Sequence, residues 1–154
     1  MVKVLTGKIK SKGKKFAIVV SRFNDFITKR LLDACLEELV RLGVKKSEIT
    51  IAWVPGSFEI PVTAMRLARK KSIHAVICLG AVIRGETLHF DLISRAASEG
   101  ISEVSLAAGK PAIFGVITTD TLEQAYKRAG LKGENKGREA AVNAVEMVNL
   151  LDQI

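Results

Sequence analysis

Stretches of consecutive apolar residues alternate along the chain with longer segments in which apolar residues recur every three or four positions. Four apolar stretches have the length and composition of buried strands, and they cover residues 14–21, 48–54, 75–79 and 112–118. The segments between and after them carry helical spacing, and the predicted helices cover about residues 27–42, 61–71, 90–108, 122–128 and 138–151. The pattern predicts strands alternating with helices.

This alternation predicts right-handed βαβ units and a parallel sheet with helices on both faces. We expect residues 1–154 to form a single doubly wound α/β domain with four parallel strands, because 154 residues fit one domain and no linker divides them. Residues 2–10 alternate weakly, and we expect a short N-terminal edge strand there.

Composition narrows the function classes. The net charge of +8 could suit nucleic acid, but only 5% of the residues are aromatic and the lysines are scattered, so we expect no nucleic-acid partner. A phosphorylated small substrate would be served equally well by a few local cations. No apolar run approaches the roughly 20 residues of a membrane span. We therefore expect a cytoplasmic protein without a membrane partner, in which Cys35 and Cys78 are reduced core thiols.

The segment 80–91, GAVIRGETLHFD, joins the third predicted strand to a helix. Ligands of α/β proteins bind outside the carboxyl ends of the strands, where this connection would lie. It contains Arg84, Thr87 and His89, and His89 is one of only two histidines in the chain. The other, His74, precedes the strand and would lie at the opposite end. The simpler interpretation is a turn that happens to hold polar residues.

The sequence lacks the motifs of several common nucleotide-binding, metal-binding and nucleophilic sites. The segment 80–87 has the spacing of a P-loop, but Glu86 stands where the motif needs lysine, and its charge would oppose a phosphate. No G-x-G-x-x-G follows the first strand, so a dinucleotide fingerprint is missing. Cys35 and Cys78 lack nearby histidines, which argues against zinc and against a cysteine nucleophile. We expect no metal site.

The remaining candidates follow the predicted strands and include Phe23, the run Ser57-Phe58-Glu59, His89 and Phe114. Aromatic faces beside a carboxylate, a hydroxyl and a histidine suit a flat polar heterocycle and acid–base chemistry near neutral pH. Each residue alone also has a structural interpretation, as core or as a helix-terminal charge. Their convergence on one sheet edge favours a binding site.

Several motifs together resemble the lumazine synthase family, in order and over almost the whole chain. They are SRFN at 21–24, VPGSFEIP at 54–61, GAVIRGETLHFD at 80–91, FGV at 114–116, DTLEQA at 120–125 and GENKG at 133–137. Two places differ from the common pattern. Leu88 stands where a small residue or proline is usual, and Gly133-Glu134 replaces a more usual Ala-Gly or His-Gly pair.

The resemblance implies a flavodoxin-like fold and the penultimate reaction of riboflavin biosynthesis. In that reaction, 5-amino-6-(D-ribitylamino)uracil condenses with 3,4-dihydroxy-2-butanone 4-phosphate to 6,7-dimethyl-8-ribityllumazine, releasing phosphate and water. The steps are imine formation, phosphate elimination and ring closure, with no metal and no other cofactor. The implied enzyme is a transferase acting on two small-molecule substrates.

The resemblance also implies the site residues. The pyrimidine would be held by Phe23, Ser57, Phe58, Glu59, Ala81, Val82, Ile83 and Phe114. The butanone phosphate would meet Glu86 and Thr87, mainly through backbone N–H groups, together with Arg128. His89 would transfer protons, and Lys136 and Glu139 occupy family-like positions near the site.

Assembly is implied in the same way. Members of the family form pentamers whose active sites are shared between neighbours, and some build an icosahedral shell of sixty subunits. The short loop over residues 130–137 accompanies the shell form, and the family implies an association with riboflavin synthase. Two alternatives to the enzyme remain at this stage: a flavin- or pteridine-binding protein without turnover, and a protein whose function is shell formation itself.

Overall fold

A four-stranded parallel sheet, in the order β2-β1-β3-β4, lies at the centre of the molecule. The computed structural model describes residues 1–130 and 133–154. The strands are β1 (Phe16–Ser21), β2 (Ile49–Val54), β3 (Ala75–Ile83) and β4 (Ala112–Thr119). The predicted α/β fold of the flavodoxin-like type is confirmed.

Helices cover both faces of the sheet. They are α1 (Asp25–Arg41), α2 (Ile60–Ala68), α3 (His89–Ala108), α4 (Leu122–Arg128) and α5 (Lys136–Leu151), with short 3₁₀ turns at Lys46–Glu48 and Ser57–Glu59. Helices α1, α4 and α5 pack on one face, and α2 and α3 pack on the other. Within residues 1–130 and 133–154, none of the helices is both long and apolar enough to cross a membrane.

The interior strands carry the core. All six residues of β1 are buried, because β1 has a strand on each side and helices on both faces. Cys35 on α1 and Cys78 on β3 are free and fully buried, as predicted for core thiols. Desolvation raises the pKa of each thiol to about 12.

Residues 2–10 do not form the predicted edge strand. They run beside α5, where Asn149 Nδ2 donates to the Lys10 carbonyl at 2.9 Å and Gln153 Nε2 donates to the Thr6 carbonyl at 2.7 Å. Side-chain amides of α5 and of the turn after it thus bind carbonyls that a sheet edge would have used. The approach is so close that a Cβ on Gly7 would collide with the Glu146 carbonyl oxygen.

The third strand is longer than the sequence predicts. It continues through Gly80 to Ile83, because β4 pairs with it as far as Ile83 and Thr119. The connection to α3 is therefore only residues 84–88, and Gly80 lies inside the sheet.

The predicted loop 130–137 is described in part. Residues 131 and 132 lie outside the described residues. On the far side of them, Asn135 is buried and its Oδ1 accepts from the backbone N–H of Gly137 at 2.8 Å and of Arg138 at 3.2 Å. Asn135 therefore caps α5.

Candidate active site

The chain after β1 continues to pair with the end of β2 and the residue that follows it. Arg22 N donates to the Val54 carbonyl at 2.8 Å, and Phe23 N donates to the Pro55 carbonyl at 3.0 Å. Asn24 then turns the chain in the left-handed conformation (φ 60°) that asparagine tolerates. This turn leaves 70% of Phe23 exposed at the carboxyl end of the sheet.

The connection after β2 is shaped by a carboxylate. Glu59 Oε2 accepts from the backbone N–H of Gly56 at 2.9 Å, which closes the 3₁₀ turn Ser57–Glu59. Pro61 follows in the first turn of α2, where its missing N–H costs nothing. Ser57 is buried by this arrangement, whereas Phe58 is 59% exposed and extends its ring outward.

The connection after β3 brings His89 to the first residue of α3. The Thr87 Oγ1 accepts from His89 N at 3.3 Å, and both residues are exposed. The first N–H groups of this twenty-residue helix have no intrahelical acceptor, so its start favours an anion. The phosphate-binding chemistry predicted for this segment is therefore available here.

These three connections enclose one open cleft of about 690 Å³ on the α2–α3 face of the sheet. Most of the predicted pyrimidine-binding residues line it, together with Thr87 of the connection before α3 and His89, the first residue of α3. The predicted site residues in its lining are Phe23, Ser57, Phe58, Glu59, Ala81, Val82, Ile83, Thr87 and His89. Glu86 lies in the same connection, exposed to solvent, but does not line the cleft.

Five lining residues were not predicted as site residues: Pro55, Gly56, Gly85, Phe90 and Ile93. Gly56, Gly85 and Phe90 adjoin predicted residues in the chain, and Pro55 precedes Gly56. Ile93 could have been found from helical spacing, since it follows His89 by one turn and so shares its face of α3.

The other predicted residues lie elsewhere. A second cleft of about 270 Å³ is lined by Phe114, Arg128, Lys136 and Glu139, together with other residues of β4 and α5. It lies on the face covered by α4 and α5, and the two clefts have no lining residue in common. A single chain thus carries the predicted site as two separate parts.

The cations of the second cleft are paired within the chain. Arg128 Nη1 forms an ion pair with Glu134 Oε1, and Lys136 Nζ lies 3.0 Å from Glu139 Oε2. The hydrogen bond from Arg128 lowers the pKa of Glu134 below its ordinary value, so this carboxylate is ionised at neutral pH. Among the described residues, no cluster of histidine, cysteine and carboxylate side chains could hold a metal ion.

Comparison with known proteins assigns this arrangement to a family. The family model for 6,7-dimethyl-8-ribityllumazine synthase matches residues 13–152. The chain belongs to this family. It is also 52% identical, over 153 residues and 99% of each chain, to the 6,7-dimethyl-8-ribityllumazine synthase of Desulfatibacillum aliphaticivorans. The predicted identity, an enzyme of the transferase class that forms dimethylribityllumazine in riboflavin biosynthesis, is confirmed.

Proposed function

We propose that this chain condenses 5-amino-6-(D-ribitylamino)uracil with 3,4-dihydroxy-2-butanone 4-phosphate in a site built from both clefts. The observation that carries the proposal is the cleft on the α2–α3 face, which holds most of the predicted substrate-binding residues at the carboxyl ends of β1, β2 and β3. The products are 6,7-dimethyl-8-ribityllumazine, phosphate and water.

The pyrimidine binds in this larger cleft. The exposed ring of Phe23 offers an apolar face on which the heterocycle stacks, and Phe58 extends the apolar wall. Ser57 and Glu59 supply the polar groups that fix its orientation and hold the ribityl chain, while the backbone of residues 81–83 forms the floor. Phe114 closes the site.

His89 transfers protons during imine formation and ring closure. Histidine ordinarily changes its protonation state near neutral pH, so the same imidazole can accept and return a proton in successive steps. It is the first residue of α3 and follows Thr87, the nearer of the two proposed phosphate contacts, by two positions. Holding the two substrates side by side supplies the rest of the acceleration.

The phosphate binds to backbone N–H groups of Glu86 and Thr87 and to the guanidinium of Arg128, whose planar fork suits a phosphate. Arg128 lies in the smaller cleft, on the opposite face of the sheet from His89. One chain therefore supplies Arg128, Phe114, Lys136 and Glu139 to the larger cleft of a neighbouring copy.

We infer a homo-oligomer from this division, since a ring lets every chain both give and receive one half of a site. The family resemblance implies that the ring is a pentamer, that the short segment 130–137 accompanies an icosahedral shell of sixty subunits, and that the protein associates with riboflavin synthase. We further propose that residues 1–154 form a single domain and that the protein works in the cytoplasm on two small-molecule substrates, with no other cofactor.

The activity is tested by mixing the protein with the two substrates and following lumazine absorbance and fluorescence. Formation of the product supports the enzyme, and binding of the pyrimidine without product supports the pteridine-binding alternative. Native mass spectrometry distinguishes a free pentamer from the shell, and a fully active monomer would contradict the shared site.

Co-assembly of two impaired variants tests the sharing directly. His89→Ala and Arg128→Ala chains are refolded together in equal amounts and assayed at a low concentration of butanone phosphate. If neighbours share sites, about a quarter of the interfaces combine an intact His89 with an intact Arg128, and activity rises well above that of either variant. If each chain uses its own residues, the mixture shows only the average of the two variants.

A further inference from the structure

Glu134 holds the guanidinium that we assign to the phosphate. Arg128 is the last residue of α4, and its Nη1 pairs with the Oε1 of Glu134, six positions further along the chain. The side chain of Arg128 is 48% exposed and that of Glu134 is 39% exposed, so an anion from solution can reach this pair.

The backbone fixes the carboxylate in this place. Gly130 N donates to the Glu134 carbonyl at 3.1 Å, and Ala129 and Asn135 form an antiparallel bridge beside it. The buried Asn135 adds a hydrogen bond from its Nδ2 to the Gly130 carbonyl at 3.1 Å. These contacts fix the backbone of Glu134 next to the end of α4, where Arg128 lies.

Neighbouring positive charges keep Glu134 ionised and so strengthen its contact with Arg128. Lys127 and Lys136 add positive charge around Glu134, and both favour its ionised form. Lys136 is itself paired with Glu139 at 3.0 Å. In the free chain, each of the two cations that line the smaller cleft faces a carboxylate rather than an open site.

We propose that Glu134 competes with phosphate for Arg128 and thereby sets the affinity of the site for its phosphorylated substrate and for released phosphate. A phosphate dianion carries more charge than a carboxylate and displaces it from the guanidinium. After elimination, the carboxylate returns to Arg128 and favours departure of the phosphate. The inference rests on the proposed function, in which Arg128 binds the phosphate.

The resemblance to the family implies that Gly133-Glu134 replaces a more usual pair. Glu134 therefore tunes a shared site without supplying a group that the reaction itself needs.

The test compares Glu134→Gln with the parent enzyme, since the amide keeps the size of the side chain and removes its charge. We expect the KM for butanone phosphate and the inhibition constant of inorganic phosphate to fall together by about 2- to 5-fold, the range of half-exposed ion pairs. The KM for the pyrimidine stays unchanged. Glu134→Asp, which keeps the charge, gives intermediate values.

Glu123→Gln is the matched control. Glu123 is an exposed residue of the same short helix, and it forms no ion pair within the described part of the chain, so its loss changes net charge without freeing Arg128. We expect its constants to match those of the parent. Thermal unfolding of all variants verifies that they are folded.

Two outcomes overturn the proposal. A higher KM for butanone phosphate in Glu134→Gln would mean that the carboxylate orients Arg128 productively, and unchanged constants would mean that it does not compete. Arg128→Ala separates this failure from that of the proposed function. If Arg128→Ala leaves both phosphate constants unchanged, then the assignment of Arg128 is wrong. If it raises them while Glu134→Gln does nothing, only the competition is wrong.

Discussion

Arg84 Nε donates to Asp120 Oδ1 at 2.8 Å, joining the connection before α3 to the connection before α4. Arg84 also lies over the ring of Phe90, with Cζ 4.3 Å from the ring centre, and its Nη1 is 3.5 Å from Asp91 Oδ1. The two carboxylates raise the pKa of Arg84, chiefly through the Asp120 hydrogen bond. Its guanidinium is paired within the protein, so we expect it to hold the shape of the segment 84–88, whose Glu86 and Thr87 we propose as phosphate contacts.

Replacing Arg84 should therefore harm both halves of the site. We expect Arg84→Ala to lower kcat/KM by about 10-fold, because two surface ion pairs and one cation–π contact are lost at the start of the segment 84–88. Arg84→Lys should recover part of the loss. Steady-state kinetics would check this, with Arg66→Ala on the exposed side of α2 as the control for charge. Normal kinetics in Arg84→Ala would show that the segment holds its shape without this side chain.

His89→Ala should keep the fold and slow turnover by about 10²-fold or less. General acid–base groups supply about 10²–10⁴-fold, and the lower end applies because imine condensation proceeds slowly even without a catalyst. The measurement is the steady-state rate at saturating substrates, with circular dichroism to verify folding. An unchanged rate in a folded variant would remove His89 from the mechanism.

Gly80→Ala should weaken both stability and pyrimidine binding. A Cβ at this position would stand 2.6 Å from Ser57 Oγ and 3.2 Å from Ile60 Cδ1, inside the wall of the larger cleft. Such overpacking typically costs about 1–3 kcal/mol, so the free energy of unfolding should fall by that amount and the KM for the pyrimidine should rise. Gly85→Ala is the stability control, because a Cβ added there would have no other atom within 4 Å. Equal stability of the two variants would show that the 80–83 backbone shifts freely.

His74 should make stability fall on the acid side of neutrality. Burial lowers its pKa, aided by Lys14 and Lys110, although Asp152 opposes the shift. The unfolded state thus binds a proton first, and the free energy of unfolding declines as the pH drops below about 6.5, the ordinary value for histidine. Moreover, His74 Nδ1 accepts from Lys15 N at 3.0 Å, a bond that the imidazolium cannot accept.

The check is denaturant unfolding at several pH values between about 7.5 and 5.5, where histidine titrates. His74→Gln cannot bind this proton, so its stability should decline less over the same interval. Parallel curves for the two proteins would mean that His74 does not cause the loss in this interval. Carboxylates such as Glu134, whose pKa is lowered, lose their contribution to stability only at more acidic pH.

Much of the fold follows from apolar periodicity. The four strands and five helices lie where the spacing predicts them, because each buries its own apolar stripe. The errors occur where tertiary contacts decide. The local sequence predicts that the third strand ends before Gly80, but pairing with Val116 on β4 keeps Gly80 in the sheet. The sequence pattern of residues 2–10 predicts a strand, but amide side chains of α5 and of the turn after it bind their carbonyls.

The site shows a similar division. Side chains that follow β1, β2 and β3 meet in one cleft because parallel strands end at the same edge. Sequence order does not say on which face of the sheet a later helix packs, and therefore could not place Arg128 opposite His89. The pairing of Arg128 with Glu134 depends on the path of the chain between α4 and α5, which no periodicity encodes.

The two buried thiols make the native surface free of cysteine, since Cys35 and Cys78 are the only cysteines in the sequence. Thiolate is the reactive form of cysteine, and a pKa of about 12 leaves almost none of it at neutral pH. A single cysteine introduced on an exposed helix position would therefore be labelled selectively in the folded protein. Fluorophores for measuring distances between neighbouring chains can be attached without first removing any native residue.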